Sequence, residues 1–573
     1  MGEGENGRKG EQAGVNLTDD CDLFHSPPLP FSPSPVLPLS HSTSPLLGVI
    51  VQAALLTTLC WFLFFHHLDK RDLWNSHEGR AAQDAQTVLD GDSAGLPRLY
   101  DGQAEVQKPP LYYWMVAGLA WLRGSDVDAL AVRLPAAISA WLCVMLLYGW
   151  GNQIGRPILG FCAALILATS AHFTWMAKIA RVDMPLTLFC TAALLAMWVR
   201  MQRDTASKWW LVFAYLAMGL AVLMKGPIGL VLPLAVIIVY GALNALRDAS
   251  RQDAALPSLS VKRLGLSWGI PLVLAVSVPC FVWAHYHTSG EFTRTFFLYH
   301  NVQRGFGSET LAEHPWWFYV PRSAIDLLPW ILLLPFAMWR VLKGRFGEAS
   351  LTDRVGEFGA TWFVVMLAVL SLARFKRSDY LLPAYPGVAL LLACYLEKLL
   401  LRASRPRLIW GGVGAVAAAC VLAWVYYVDV SLPAEESRRE YQTFAAEIRE
   451  FAPAPETVYF FRTESHALAF HVSRPVRTFV EWEDLDRLAS GPEPAWVVTR
   501  PEVARQWREH LTHGQLEEVG GTDRDGVHHE KPLVLFRTRP NAVLSLHVSD
   551  ERRSPEPPPD RTKSLEFVAP GAQ

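Results

Sequence analysis

Eleven times along this 573-residue chain the sequence runs for close to a full membrane thickness with almost no charge. A helix needs about 20 such residues to cross the hydrocarbon of a bilayer, and only helices and closed barrels satisfy their backbone there. The blocks lie at about 46–66, 131–150, 157–176, 183–200, 209–224, 226–245, 266–286, 323–342, 358–374, 380–400 and 408–428. Those near 209–224 and 358–374 are the shortest. The expectation is an all-α polytopic membrane protein with about 11 transmembrane helices. A segment at 110–123, aromatic but short, reads as a helix lying in the interface.

The charges are sorted by this pattern. Only 18% of residues are charged, and the formal net charge is −2, so no basic field points to nucleic acid. The loops after even-numbered blocks carry Arg156, then Arg200, Arg203 and Lys208, then Arg247, Arg251, Lys262 and Arg263. The next two carry Arg340, Lys343, Arg345 and Arg354, then Lys398, Arg402, Arg405 and Arg407. The positive-inside tendency makes these loops cytoplasmic. Two large loops, 67–130 and 287–322, are then external, as is everything after 428.

Residues 1–45 read as a disordered cytoplasmic tail rather than a cleaved signal, because the apolar run starts late and lacks a small-residue cleavage site. Residues 430–545 read as a small α/β soluble domain, with strands at Thr457–Arg462, Val476–Val480, Ala495–Arg500 and Pro532–Arg537. Residues 546–573 read as a second disordered tail. Seven of eight cysteines sit inside apolar blocks without metal-type spacing, so no disulfide framework is expected. No internal repeat and no matched pair of interrupted helices is visible, which weighs against inverted-repeat transporters.

Some basic residues break the sorting by lying on the external side. They are Arg80 and Lys108 in the first loop, Lys178 and Arg181 after the third block, Lys225 after the fifth, Arg304 in the second loop, and Arg374, Lys376 and Arg377 after the ninth. Snorkelling or structural ion pairing accounts for any one of them. Their gathering at one face suits a shared site for a phosphate or pyrophosphate. The acids on that side are Glu78 and Asp183; a helix-end role suits either one alone. His77-Glu78-Gly79-Arg80 lacks the second histidine of a zinc protease helix. His300 and His314 are further metal candidates with Glu78. No phosphate-binding glycine loop and no nucleophile elbow is present, so soluble nucleotide donors are not indicated.

In chain order, the motifs His77-Glu78-Gly79-Arg80, Gln107-Lys108-Pro109-Pro110-Leu111-Tyr112-Tyr113-Trp114, Val132-Arg133-Leu134-Pro135 and Ala180-Arg181-Val182-Asp183 form a specific series. It continues through Lys225-Gly226-Pro227, His300-Asn301 with Arg304, His314-Pro315-Trp316-Trp317, and Lys376-Arg377-Ser378-Asp379-Tyr380-Leu381-Leu382-Pro383. The series resembles the ArnT-like and protein-mannosyltransferase-like GT-C glycosyltransferases over roughly residues 70 to 390. That resemblance implies a GT-C membrane domain at 46–428 transferring a sugar from a polyprenyl-phosphate donor to a lipid or protein acceptor, on the periplasmic face of an inner membrane.

By the same resemblance, Glu78, Asp183 and His77 are the catalytic candidates. Arg80, Lys108, Arg181, Lys225, His300, Arg304, Lys376 and Arg377 would hold the lipid phosphate. Two positions depart from the family: His77 stands where an Asp is usual, and Gln107 where a Glu is usual. They leave the base and the need for a divalent metal open, and no other cofactor is implied. The rival expectation is a lipid or solute transporter binding anionic headgroups. It calls for ionisable groups near the bilayer midplane, where these blocks carry almost none. A third is a membrane sensor working through 430–545.

Overall fold

The structure is a computed structural model that describes residues 45–91, 93–202, 207–250, 264–303, 313–344, 350–523 and 527–540. Arg304, nearly all of the tail expected at 1–45 and the whole tail expected at 546–573 lie outside the described residues.

All eleven apolar blocks are helical. Eight are single helices long and apolar enough to span: Leu46–Phe65, Ala129–Gln153, Asp183–Gln202, Ile228–Leu246, Leu266–His287, Leu351–Leu372, Ser378–Arg402 and Pro406–Glu436. The fifth block is a shorter helix, Trp209–Lys225. The ninth, expected to be short, is a full 22-residue helix because Ser350 and Asp353 cap it seven residues before the apolar run begins.

The third and eighth blocks are bent pairs, Pro157–Ala168 with Ala171–Ala177 at 69° and Tyr319–Asp326 with Trp330–Lys343 at 113°. This corrects the expectation of uninterrupted spans. The two breaks meet: Ala171 N donates to Leu328 O at 3.0 Å and Trp330 Nε1 to Thr169 Oγ1 at 2.8 Å. Each break satisfies polar groups that the other exposes, as a bilayer interior requires. A buried polar group gathers there too. Tyr385 donates its hydroxyl to Asp326 at 2.8 Å and lies 3.1 Å from His172 Nδ1, and Arg322 lies 2.9 Å from Asp326. The spans are therefore less free of ionisable groups than the sequence suggests, although these are mutually satisfied.

The fourth and tenth spans are the most enclosed. Small residues let neighbouring helices close. A Cβ on Gly151 would stand 2.3 Å from the Gly160 Cα, so the second and third spans cross where neither has a side chain. The last span, Pro406–Glu436, has only 6% of its apolar window buried and lies at the margin of the bundle.

After the last span comes a five-stranded sheet: β1 Val458–Phe461, β2 Val476–Phe479, β3 Trp496–Thr499, β4 Gly514–Gly521 and β5 Val534–Pro540. The strand order is β2-β1-β3-β5-β4; β1 pairs in parallel with β2 and β3, and β5 antiparallel with β3 and β4. Four strands fall where the alternation predicts them. β4, Gly-rich and acidic, was not anticipated.

The sheet unit is docked on the first loop. Ala81, Ala82 and Ala85 of helix Ser76–Leu89 share one buried apolar cluster with Phe444, Ile448, Leu468 and Val472. Gly79 makes the approach feasible: a Cβ there would stand 2.4 Å from the Ala467 backbone nitrogen. Asp72 adds a polar tie, accepting from Tyr441 N at 3.1 Å and lying 2.7 Å from His471 Nε2.

Candidate active site

Asn75 caps helix Ser76–Leu89 by accepting from Glu78 N at 2.9 Å. The cap fixes the first turn, and that turn presents His77, Glu78 and Arg80.

Glu78 is completely buried and fully engaged. Arg133 grips it bidentately, Nε at 3.0 Å and Nη2 at 2.9 Å, and Arg71 Nη2 adds a third bond at 3.1 Å. Arg133 also donates to the carbonyls of Leu68, Arg71 and Asp72 at 2.7–2.9 Å, so its guanidinium knits the segment after the first span. Burial alone would push the Glu78 carboxyl up, but Arg133 and Arg71 overcome it and hold the group down at about 2. A carboxylate so held is a poor proton acceptor. Two guanidiniums already occupy it. The His314 ring packs on Phe318 at 4.5 Å, and the side chain of His300 lies outside the described residues. Glu78, expected to handle a proton or a metal, is here held in an ion-pair network with Arg133 and Arg71.

His77 has the opposite surroundings. Burial lowers its basicity, and so do the charges of Lys108, Arg181, Arg377 and Arg80. The imidazole is neutral, and four cations from four segments converge on it. Such a gathering of positive charge beside a neutral ring suits an anion. Among the described residues Lys108 makes no ion pair. Burial, ahead of its neighbours' charges, lowers its ammonium to about 8.

Acids stand behind three of these four cations. Arg80 Nε lies 3.0 Å from Glu105, which also accepts from Tyr113 at 3.1 Å and from Gln107 N at 2.6 Å. Asp84 faces the same group; burial and then the Glu105 charge raise its carboxyl well above the usual range. Glu78 is thus not the lone acid of the first loop. Glu105 and Asp84 stand close to where Gln107 removes the family's usual Glu.

On the membrane side, Asp183 opens the fourth span and pairs with Lys225, which also sits 3.7 Å over the Tyr380 ring. Asp379 lies 3.0 Å from Arg181 and 3.5 Å from Arg377. These carboxylates orient cations toward the cluster without facing it alone.

Of the residues singled out from sequence, the fold gathers His77, Arg80, Lys108, Arg181 and Arg377, with Asp183 and Lys225 alongside. Lys376 is not gathered: its ammonium is spent on the His314 and Ala373 carbonyls. Sequence reasoning missed Arg71, Asp84, Glu105, Asp379 and Tyr380. Asp379 and Tyr380 were inside a quoted motif, and Arg133, also quoted, lacked an assigned role.

The family model described as dolichyl-phosphate-mannose-protein mannosyltransferase matches residues 107–283. Among curated proteins the chain is similar to an undecaprenyl phosphate-alpha-4-amino-4-deoxy-L-arabinose arabinosyl transferase of Pseudomonas aeruginosa. The two are 29% identical over 335 residues, 57% of this chain and 56% of that protein. An uncharacterised protein of Aquifex aeolicus is 28% identical over 337 residues, 59% of this chain and 62% of its own length. The chain thus spans less than two thirds of these relatives. Among solved structures, ArnT from Cupriavidus metallidurans bound to undecaprenyl phosphate superposes with a TM-score of 0.69 at 18% identity, covering 86% of this chain and 98% of that one. The oligosaccharyltransferase AglB from Archaeoglobus fulgidus, in complex with an inhibitory peptide and a dolichol-phosphate, gives a TM-score of 0.51 at 13% identity, covering 80% and 70%. At these identities the likeness is one of fold, and the fold is the ArnT-like GT-C type.

Proposed function

We propose that this chain is an integral membrane glycosyltransferase that moves a sugar from a polyprenyl-phosphate carrier to a lipid or protein acceptor. The observation that carries this reading is the gathering of Arg80, Lys108, Arg181 and Arg377 around His77, aimed by Glu105 at 3.0 Å from Arg80 and by Asp379 at 3.0 Å from Arg181 and 3.5 Å from Arg377. Positive charge gathered beside membrane spans suits a phosphate whose lipid tail lies between them. The ArnT and AglB structures, bound to undecaprenyl phosphate and to a dolichol-phosphate respectively, share the fold.

In this reading the bond from the anomeric carbon to the phosphate oxygen breaks, and an acceptor oxygen forms the new bond. The leaving phosphate gains charge as the bond breaks, and Lys108, Arg181 and Arg377 stabilise it more strongly then than before. Asp183 and Asp379 are positioning residues that aim Lys225, Arg181 and Arg377. A hydroxyl acceptor must lose a proton. His77 is the group placed to take it, since an anion bound beside it offsets the cations that keep it neutral. A phosphate acceptor needs no base. The sugar is a hexose or a pentose: the family model speaks for the first and the arabinosyl relatives for the second.

We place the site on the periplasmic side of an inner membrane, because the opposite loops hold the Lys/Arg excess. On the same reading 46–428 is the catalytic domain and 430–545 an external domain roofing it. The transporter reading is disfavoured by the mutual pairing of the buried Asp326, Arg322, His172 and Tyr385 group.

The test is transfer of radiolabelled sugar in membranes, offered on undecaprenyl phosphate as aminoarabinose or mannose, with wild type and His77→Ala compared at matched expression. Transfer by wild type from one carrier sugar, lost in the variant, is expected. No transfer from either carrier would overturn the reading.

A further inference from the structure

At the end of the first span, three metal-ligand side chains meet that the proposed reaction does not use. His66 and His67 follow the first span, and Asp429 lies near the C-terminal end of the last. His66 Nε2 lies 3.0 and 3.2 Å from the two Asp429 carboxylate oxygens, and His67 Nδ1 lies 2.8 Å from Oδ1. The three donor atoms fall within 4.8 Å of one another. Ligands of a tetrahedral zinc ion, at about 2.0–2.1 Å from the metal, stand about 3.3 Å apart. The group needs only a few tenths of an ångström of opening to admit one.

The local backbone is shaped for this convergence. Neighbouring residues on a helix point about 100° apart, so two adjacent histidines do not ordinarily share a ligand. Here a π-turn, Trp61–Phe65, ends the first span, and His67 then takes the left-handed conformation with φ 49°. The two rings are brought parallel, 4.0 Å apart. Lys178 donates to the His66 carbonyl and holds the turn. Asp429 likewise sits in a π-turn, Tyr427–Ser431. Single π-turns re-aim side chains and recur at functional sites, and a left-handed non-glycine residue costs energy that something must offset. All three side chains remain partly open to solvent, at 24%, 42% and 34%, so an ion has access.

We propose that His66, His67 and Asp429 form a binding site for a divalent transition ion of the zinc class, which ties the end of the last span to the end of the first. Two imidazoles and one carboxylate suit such an ion, with water in the remaining position. Each imidazole would coordinate through the lone pair of an unprotonated ring nitrogen. The tie matters because the last span is nearly unpacked and leads straight into the sheet unit above the active site. An ion here would fix where that unit is anchored.

The test uses the full-length protein in detergent, stripped of metal with a chelator and titrated with Co2+ and then Zn2+. The wild type is expected to give a tetrahedral cobalt d–d spectrum that zinc bleaches, at about one equivalent per chain. Thermal unfolding should move upward with zinc in wild type and not in Asp429→Asn. The His67→Cys variant keeps a donor at the position, and is expected to add a thiolate-to-cobalt charge-transfer band. A cobalt spectrum unchanged in both Asp429→Asn and His67→Ala, or no saturable binding by a folded wild type, would overturn the site and leave a His–Asp ion pair. The proposed transferase activity is not used as a readout, so the two readings fail separately.

Discussion

Two guanidiniums, those of Arg133 and Arg71, fix the charge of Glu78. The carboxylate keeps its charge against burial because Arg133 and Arg71 surround it, and its affinity for protons drops from the ordinary 4.5 to about 2. A depressed folded-state value adds stability above the unfolded value, about 3 kcal/mol at neutral pH, lost as pH falls from about 4.5 to about 2. Glu78→Gln is therefore expected to lower protein stability by roughly 3–5 kcal/mol, since it leaves Arg133 buried without its countercharge. Thermal unfolding in detergent checks this; unchanged stability with lost transfer would return Glu78 to the chemistry. Asp84 has the opposite sign. Its folded value is raised, so its stabilising share is present below about 3.8 and lost as pH rises through the folded value. Asp84→Asn should be neutral or stabilising at pH 8, by up to about 2 kcal/mol, and the same unfolding assay reads it. From sequence Glu78 was the evident acid and Asp84 passed unnoticed. The difference is made by partners 55 residues away in one case and 21 in the other, which no local pattern displays.

Elements were more legible than side-chain roles. All eleven apolar blocks are helices because a bilayer-length apolar run has no other way to satisfy its backbone. The two bends were not legible, since each is stabilised by the other across the bundle and not by its own sequence. β4 was missed for a related reason: Gly514–Gly521 has little apolar alternation and takes its place at the sheet edge by pairing with β5. The docking of helix Ser76–Leu89 on the sheet unit gives a prediction at this scale. Gly79→Val puts a branched side chain where the Ala467 nitrogen lies, and overpacking of this kind costs typically 1–3 kcal/mol. Limited proteolysis should then release the fragment beginning near residue 437 faster than in wild type, while the spans stay intact. An unchanged digestion pattern would show that the contact is not needed for docking.

For the whole molecule, the governing fact is where charge is allowed. Basic residues line one set of loops, and four of the exceptions, Arg80, Lys108, Arg181 and Arg377, act on His77. Orientation follows from that sorting. An impermeant thiol reagent should label Gln103→Cys in intact cells, in a background without the native cysteines, and labelling only after permeabilisation would invert the topology and remove the site from the outer face. The fold itself was legible from the order of motifs, whereas the membership of the anion site required the folded chain: Lys376 neighbours Arg377 in sequence but turns to backbone carbonyls.

The central claim is that these cations hold a lipid phosphate, and Lys108, the one among them with no ion pair among the described residues, exposes it most directly. The measurement is equilibrium binding of undecaprenyl phosphate to the purified protein across pH, wild type against Lys108→Ala. A hydrogen bond to a charged group is worth about 1.5–3 kcal/mol, so the variant should bind roughly ten- to a hundredfold more weakly at pH 7. Wild-type affinity should fall as pH rises through the Lys108 value of about 8, and that dependence should vanish in the variant. Equal affinity in the two proteins at pH 7, with the variant folded, would contradict the account.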